Sequence, residues 1–168
     1  CNISPEHLEN ELKKEKTDAV YITSPDYLGG MSDIASLSEI AHKYGAFMLV
    51  DNAHGAYLRF LSETQHPVNL GADMCCDSAH KTLPVLTGGA YLHIADKKLS
   101  ANAKNAMSLF GSTSPSYLIL QSLDKANAYL ADDYKDKLFA LCEKIEKLKA
   151  NLREIGYSLI GSETLKLT

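Results

Sequence analysis

The order of apolar runs constrains this 168-residue chain more than any other feature. Residues 19–23, Ala-Val-Tyr-Ile-Thr, are β-branched and aromatic, too short for a stable helix, and stop at Ser24-Pro25. Residues 46–50, Ala-Phe-Met-Leu-Val, form a second such run. Between them Ser32 offers a helix cap, Ile34, Leu37, Ile40 and Ala41 recur at helical spacing, and Gly45 closes the helix. Strand, helix, strand in that order pairs the strands in parallel through a right-handed crossover, with helices covering the sheet. Met74-Cys75-Cys76 and residues 89–94 add two candidate strands. The predicted fold class is α/β, a mainly parallel sheet flanked by helices.

The flanks follow the same logic. Ser4 caps a first helix with Pro5 at its first position, and Leu8 with Leu12 forms its apolar stripe among charged residues. From Lys97 the pattern turns helical, over 97–109 and again over 115–153, and leads to the apolar residues 155–160. Leu138, Leu141, Cys142, Ile145 and Leu148 keep three-and-four spacing, which burial alone explains. The predicted division is residues 1–114 as part of a large sheet domain, and 115–168 as a connecting long helix and the start of a smaller one.

Charge excludes some partners. A net charge of -4 supplies no basic field for nucleic acid, and no like-charge run forms a membrane-surface arm. No apolar stretch approaches the ~20 residues of a bilayer span, so the expectation is a soluble, cytoplasmic protein. The start at Cys1-Asn2-Ile3-Ser4-Pro5 reads as internal, with neither an initiator Met nor a signal-peptide layout. Cys1, Cys75, Cys76 and Cys142 show no Cys-x-x-Cys spacing, and adjacent Cys75 and Cys76 in a strand point to opposite faces. They are expected to be free thiols, with no metal site.

The chemistry concentrates in two loops. The second strand delivers Asp51 at its C-terminal end, where open α/β sheets place their ligand sites. An aspartate there also serves as a turn or cap residue, but Asp51-Asn52-Ala53-His54-Gly55 gathers two titratable groups and a small residue in one loop. A second loop follows at Asp77-Ser78-Ala79-His80-Lys81-Thr82. Lys81 comes directly after an apolar strand, where a lysine is either solvated or used covalently as a Schiff base.

Several blocks carry a family resemblance: Ile22-Thr23-Ser24-Pro25-Asp26-Tyr27-Leu28-Gly29, His42-Lys43-Tyr44-Gly45, Leu49-Val50-Asp51-Asn52-Ala53-His54-Gly55-Ala56, Gly71-Ala72-Asp73, Ser78-Ala79-His80-Lys81-Thr82-Leu83-Pro84, and Ser112-Thr113-Ser114-Pro115-Ser116-Tyr117. In this order and spacing they resemble the prokaryotic ornithine/lysine/arginine decarboxylases, pyridoxal-phosphate enzymes of fold type I. Ser-x-His-Lys-Thr-Leu-Pro is the specific block.

The resemblance implies decarboxylation of a basic amino acid with pyridoxal 5'-phosphate as cofactor. Asp51 matches the carboxylate that holds the cofactor's ring nitrogen protonated, a need set by the ring's work as an electron sink. Ala53 matches the small residue against which the ring lies. Lys81 matches the Schiff-base lysine, and Ser78 a ligand of the cofactor phosphate, beside its plain reading as a turn serine. His80 matches the histidine preceding that lysine and shapes either the phosphate side of the pocket or the proton inventory near it. His54 either hydrogen-bonds Asp51, lines the substrate entrance, or is structural. Ser112 and Thr113 match a loop that reaches the phosphate of the neighbouring subunit, which implies a homodimer or higher homo-oligomer; the same residues also suit a helix cap.

Two departures accompany the match. Asn52 stands where the family has a second acid. The resemblance also implies that the family's phosphate-binding small-residue loop, its ring-stacking residue and its C-terminal domain lie outside these residues. Another fold-type I lyase or aminotransferase would keep Asp51 and Lys81, and a non-catalytic relative would keep the sheet alone.

Overall fold

Strand β1 (Ala19–Thr23) pairs in parallel with β2 (Phe47–Asp51), which pairs in parallel with β3 (Met74–Asp77). Strand β4 (Tyr91–Ile94) closes the sheet antiparallel to β3, giving the order β1-β2-β3-β4. The computed structural model describes residues 3–168; Cys1, counted above among the free thiols, lies outside the described residues. Cys75, Cys76 and Cys142 are free.

The crossover from β1 to β2 is helix α2 (Ile34–Lys43), as the periodicity predicts. Its cap is Asp33 rather than Ser32, because the Asp33 carboxylate accepts from both the amide and the hydroxyl of Ser36, whereas the Ser32 amide donates to the Ser24 hydroxyl. The helix lays Leu37 and Ala41, both fully buried, against Ile22, Met48, Val50 and Cys75 of the sheet. Burying a side chain such as Leu37 contributes about 2 kcal/mol. Helix α1 (Pro5–Leu12) starts at Ser4 with Pro5 at its first position, and the Lys43 ammonium reaches Glu9 at 2.6 Å to tie it to α2.

Because strand residues alternate, the sheet has two unlike faces. Ile22, Met48, Val50 and Cys75 lie on the face that α2 covers. On the other face stand Tyr21, Asp51, Cys76 and Leu92, and among the described residues this face is largely open, with Tyr21 63% exposed. Asp73 stitches β2 to β3 by accepting from the Met48 amide at 2.7 Å and pairing with His42 at 2.8 Å.

After β3 comes the one-turn helix α3 (Ala79–Thr82), then β4, α4 (Lys97–Phe110), α5 (Tyr117–Leu130) and α6 (Tyr134–Glu154). The continuous helix expected over 115–153 is therefore two, interrupted at Ala131-Asp132-Asp133. Consecutive aspartates are poor residues for a helix interior, and Asp133, at the start of α6, makes no side-chain cap bond and pairs instead with Lys137 at 2.8 Å. Leu130, Tyr134 and Leu138 pack with Tyr57, Leu58 and Leu83 in a second apolar cluster. The chain then folds back: the amides of Ser162 and Glu163 donate to the Gly29 carbonyl at 2.8 and 2.9 Å. Gly161, at φ +80°, lies so close to the Leu28 carbonyl that any side chain would collide. Buried Lys149 anchors this return by donating to the Glu163 and Thr164 carbonyls and to Glu146. No helix among the described residues is long and apolar enough to cross a membrane.

Candidate functional site

The β2 strand ends on Asp51, and the backbone turns at once: the Ala53 amide donates to Asp51 Oδ1 at 3.0 Å and the Gly55 amide to the Asn52 carbonyl at 2.8 Å. Any side chain at position 55 would collide with that of Asn52. The turn aims Asp51 at the open face and buries Asn52 on the other. Asp51 Oδ2 accepts from the Tyr21 hydroxyl at 3.2 Å, and Cys76 Sγ lies 3.9 Å from Oδ1. Burial first, then the Asp51 charge, raises the Tyr21 hydroxyl above its ordinary value, so it remains a donor. All these partners are neutral, and no ion pair involves Asp51 among the described residues.

Lys81 lies in α3, directly beyond β3, and is exposed. Its ammonium makes no carboxylate pair among the described residues; it sits 3.3 Å from His54 Nε2. Burial, then the charges of Lys81 and Lys166, hold His54 below its ordinary value against an opposing pull from Asp51. His54 is thus a neutral imidazole whose lone pair faces the lysine. Tyr27 packs its ring edge-on to His54 with centroids 5.9 Å apart, and Lys166, from the returning C-terminal segment, stands 4.9 Å over the Tyr27 ring.

Ser78 occupies the cap position of α3 without making a side-chain cap bond. His80 points elsewhere: its Nδ1 donates to the Gly89 carbonyl at 3.1 Å, fastening α3 to the loop before β4. Ser112 and Thr113 are exposed, and the Ser112 hydroxyl accepts from the Ser114 amide in its own turn at 3.1 Å. The fold therefore gathers Asp51, Ala53, His54 and Lys81 at the C-terminal end of the parallel strands, with Ser78 at the strand exit. The hydrogen bonds of His80 and Ser112 run to their own loops.

Sequence reasoning missed Tyr21, Tyr27 and Lys166 in this cluster. Tyr21 could have been found from register, since a residue two positions before the end of β1 reaches the end of its parallel neighbour. Lys166 could not, because only the folded return of residues 161–166 brings it near.

On the opposite face a second polar group gathers, with Asp77 and His66 buried and His93 half-exposed at its edge. Asp77, 3% exposed, accepts from Asn52 Nδ2 at 2.6 Å on Oδ1, and from His66 Nε2 at 3.1 Å and His93 Nε2 at 3.0 Å on Oδ2. Burial alone would raise this carboxyl, yet the hydrogen bonds from His66, His93 and Asn52 bring it down to about 2.

Comparison with known proteins places this geometry among relatives. The family described as "Orn/Lys/Arg decarboxylase, major domain" matches residues 3–164. The chain is 35% identical to the uncharacterized protein YaaO of Bacillus subtilis, aligning over 98% of its own length and 38% of that protein. It is 31% identical to the arginine decarboxylase of the same organism over 86% of this chain and 30% of that enzyme. The chain thus spans well under half the length of these relatives. Among solved structures, pyridoxamine-pyruvate aminotransferase from Mesorhizobium loti superposes with a TM-score of 0.74 at 19% identity, covering 96% of this chain and 46% of that one, a likeness of fold.

Proposed function

This chain belongs to the Orn/Lys/Arg decarboxylase family, and on that premise we propose that the protein decarboxylates a basic amino acid, arginine, lysine or ornithine, using pyridoxal 5'-phosphate. The observation that carries the reading is the pair of uncompensated charges at one end of the sheet. Among the described residues Asp51 has only neutral partners, and Lys81 has an imidazole and no carboxylate. Lys81 is exposed and Asp51 ends a strand on the open face, so both stay accessible to a ligand that presents a cation to one and an electrophilic carbon to the other. The cofactor fits that demand: a protonated ring nitrogen for Asp51, a carbonyl carbon for Lys81.

In this reading Asp51 holds the ring-nitrogen proton, kept in place by the Tyr21 hydroxyl and the Ala53 amide. Ala53 leaves room for a flat ring because its side chain is a single methyl. Lys81 would supply the amine that holds the cofactor, and neutral His54, 3.3 Å away, would accept a hydrogen bond from that amine and orient it. Ser78 offers its uncommitted hydroxyl to the phosphate. Ser112 and Thr113, exposed on their loop, reach the phosphate of a second subunit in a homodimer. When bound, the cofactor supplies the electron sink for the charge left on the α-carbon after carbon dioxide departs.

The test uses the protein in its full length. Addition of pyridoxal phosphate should give the visible absorbance of a lysine-bound cofactor, borohydride should fix the label to Lys81, and carbon dioxide should be released from one of arginine, lysine and ornithine. Attachment at another lysine would remove Lys81 from the reading. Attachment without carbon dioxide from any of the three would leave a cofactor-binding protein of different activity.

A further inference from the structure

We propose that His66, Asp77 and His93 form a binding site for a first-row divalent metal ion, with Zn2+ the best fit. The site is independent of the proposed decarboxylation and lies on the opposite face of the sheet from Asp51 and Lys81. Three ligand atoms converge there: His66 Nε2, Asp77 Oδ2 and His93 Nε2 all lie within 4.8 Å of one another. The two nitrogens stand 3.1 and 3.0 Å from the same carboxylate oxygen. A tetrahedral ion with bonds of about 2.0 to 2.1 Å separates its ligand atoms by about 3.3 Å. The two oxygen–nitrogen distances thus lie within a few tenths of an ångström of that spacing, and the nitrogen–nitrogen distance is no more than 4.8 Å.

The scaffold is rigid where the ligands sit. His93 faces Cys75 across the β3–β4 ladder, and Asp77 follows two residues along the same strand face. His66 stands immediately before Pro67 at the start of a tight turn. Asn52 grips the other oxygen of Asp77 at 2.6 Å, fixing the carboxylate so that Oδ2 points at the two imidazoles, the role that outer partners of a metal ligand commonly play. Cys75 Sγ, 3.7 Å from His66 Nε2, adds a soft atom at the margin. A cavity of about 420 Å³ opens on the three ligands, lined also by Arg59, Tyr91 and Asn127, and leaves space for a fourth ligand such as water. Three protein ligands with an open position is an arrangement zinc adopts, and two imidazoles with a single carboxylate disfavour magnesium and calcium.

The competing account is a plain hydrogen-bonded carboxylate flanked by two histidines, and ion binding separates the two. Full-length protein is stripped with a chelator and kept free of pyridoxal phosphate, which itself chelates metals. It is then titrated calorimetrically with Zn2+, and with Co2+ while the visible spectrum is followed. The expected result is a single saturable site, with the intense Co2+ bands of low coordination number. His93→Gln, at a half-exposed position that should leave folding intact, should weaken Zn2+ by more than the roughly tenfold to 100-fold that loss of an outer partner costs, and should abolish the Co2+ bands. Asp77→Asn should do the same if it folds. His42→Gln, which breaks an ordinary exposed histidine–aspartate pair, should leave binding unchanged. Absence of saturable binding in the wild type, wild-type affinity in His93→Gln, or an equal loss in His42→Gln would each overturn the site. None of these outcomes depends on whether the protein carries pyridoxal phosphate.

Discussion

Asp51 and Asn52 are adjacent in sequence and belong to opposite faces of the sheet, and the two faces treat polar groups in opposite ways. On the covered face, Asn52, His66 and half-exposed His93 all donate to the buried Asp77 carboxylate, while Asn52 Oδ1 and His66 Nδ1 have no partner among the described residues. On the open face, Asp51 receives two neutral hydrogen bonds and Lys81 faces a neutral imidazole. A buried carboxylate held by three donors couples first to the stability of the fold, whereas one at an open strand end couples first to whatever binds there. The difference gives the open face its functional reading, and it makes the two faces respond to mutation in different observables.

The largest effect expected is at Lys81. Lys81→Ala in the full-length protein should abolish covalent cofactor attachment entirely while leaving the thermal melt in place, because the exposed side chain packs against little. Mass spectrometry after borohydride reduction reads the first part and circular dichroism the second. A melt that falls as attachment is lost would mean that this face, too, is structural. Next comes Asp51→Asn, which should lower turnover by roughly 100-fold or more, the scale of removing one electrostatic stabiliser from a reacting centre. Its denaturant midpoint should hardly move. Wild-type turnover would take Asp51 out of the chemistry.

The open face was the more legible of the two in the sequence. Asp51, Ala53, His54, Ser78 and Lys81 lie in two short loops that each follow an apolar run, so strand-end logic and the specific Ser-x-His-Lys-Thr-Leu-Pro block reach them directly. The β1, α2, β2 core was legible for the same reason: its periodicities are local. The covered network was not, because His66, Asp77 and His93 come from a turn, a parallel strand and an antiparallel strand, and no spacing along the chain joins them. The break between α5 and α6 was missed because the apolar stripe continues through it in phase, with Leu130 and Tyr134 both buried on either side of Asp132-Asp133. The low helix propensity of two consecutive aspartates outweighed a pattern that otherwise favours one long helix.

The covered face should show itself in stability. Asp77→Asn, in chelator-treated protein, replaces an acceptor-only group with one that brings its own N–H donors, so at least one of Asn52, His66 and His93 loses its partner. The cost should be about 1 to 3 kcal/mol by denaturant unfolding, with no direct effect on borohydride labelling of Lys81. Acid dependence gives the sign. The folded-state carboxyl titrates at about 2 against an ordinary 3.8, so its contribution is fully present above about pH 4 and is lost as pH falls toward 2. Asp77→Asn should therefore flatten that acid limb of the stability curve. An acid limb identical to the wild type would place the titration elsewhere.

The smallest effect separates a supporting contact from an essential one on the open face. Tyr21 is 63% exposed, and its hydroxyl donates to Asp51 Oδ2 at 3.2 Å. Tyr21→Phe keeps the ring and removes only that donor, and water can replace it at an exposed carboxylate, so stability should change by no more than about 0.5 kcal/mol. Turnover should fall by only a few fold, because Asp51 keeps its charge and its bond from the Ala53 amide. The measurement is kcat beside that of Asp51→Asn in the same full-length background. A loss in Tyr21→Phe as deep as in Asp51→Asn would mean that the hydroxyl, and not spare capacity on the carboxylate, is what the site depends on, and the contrast drawn between the two faces would fail at its first residue.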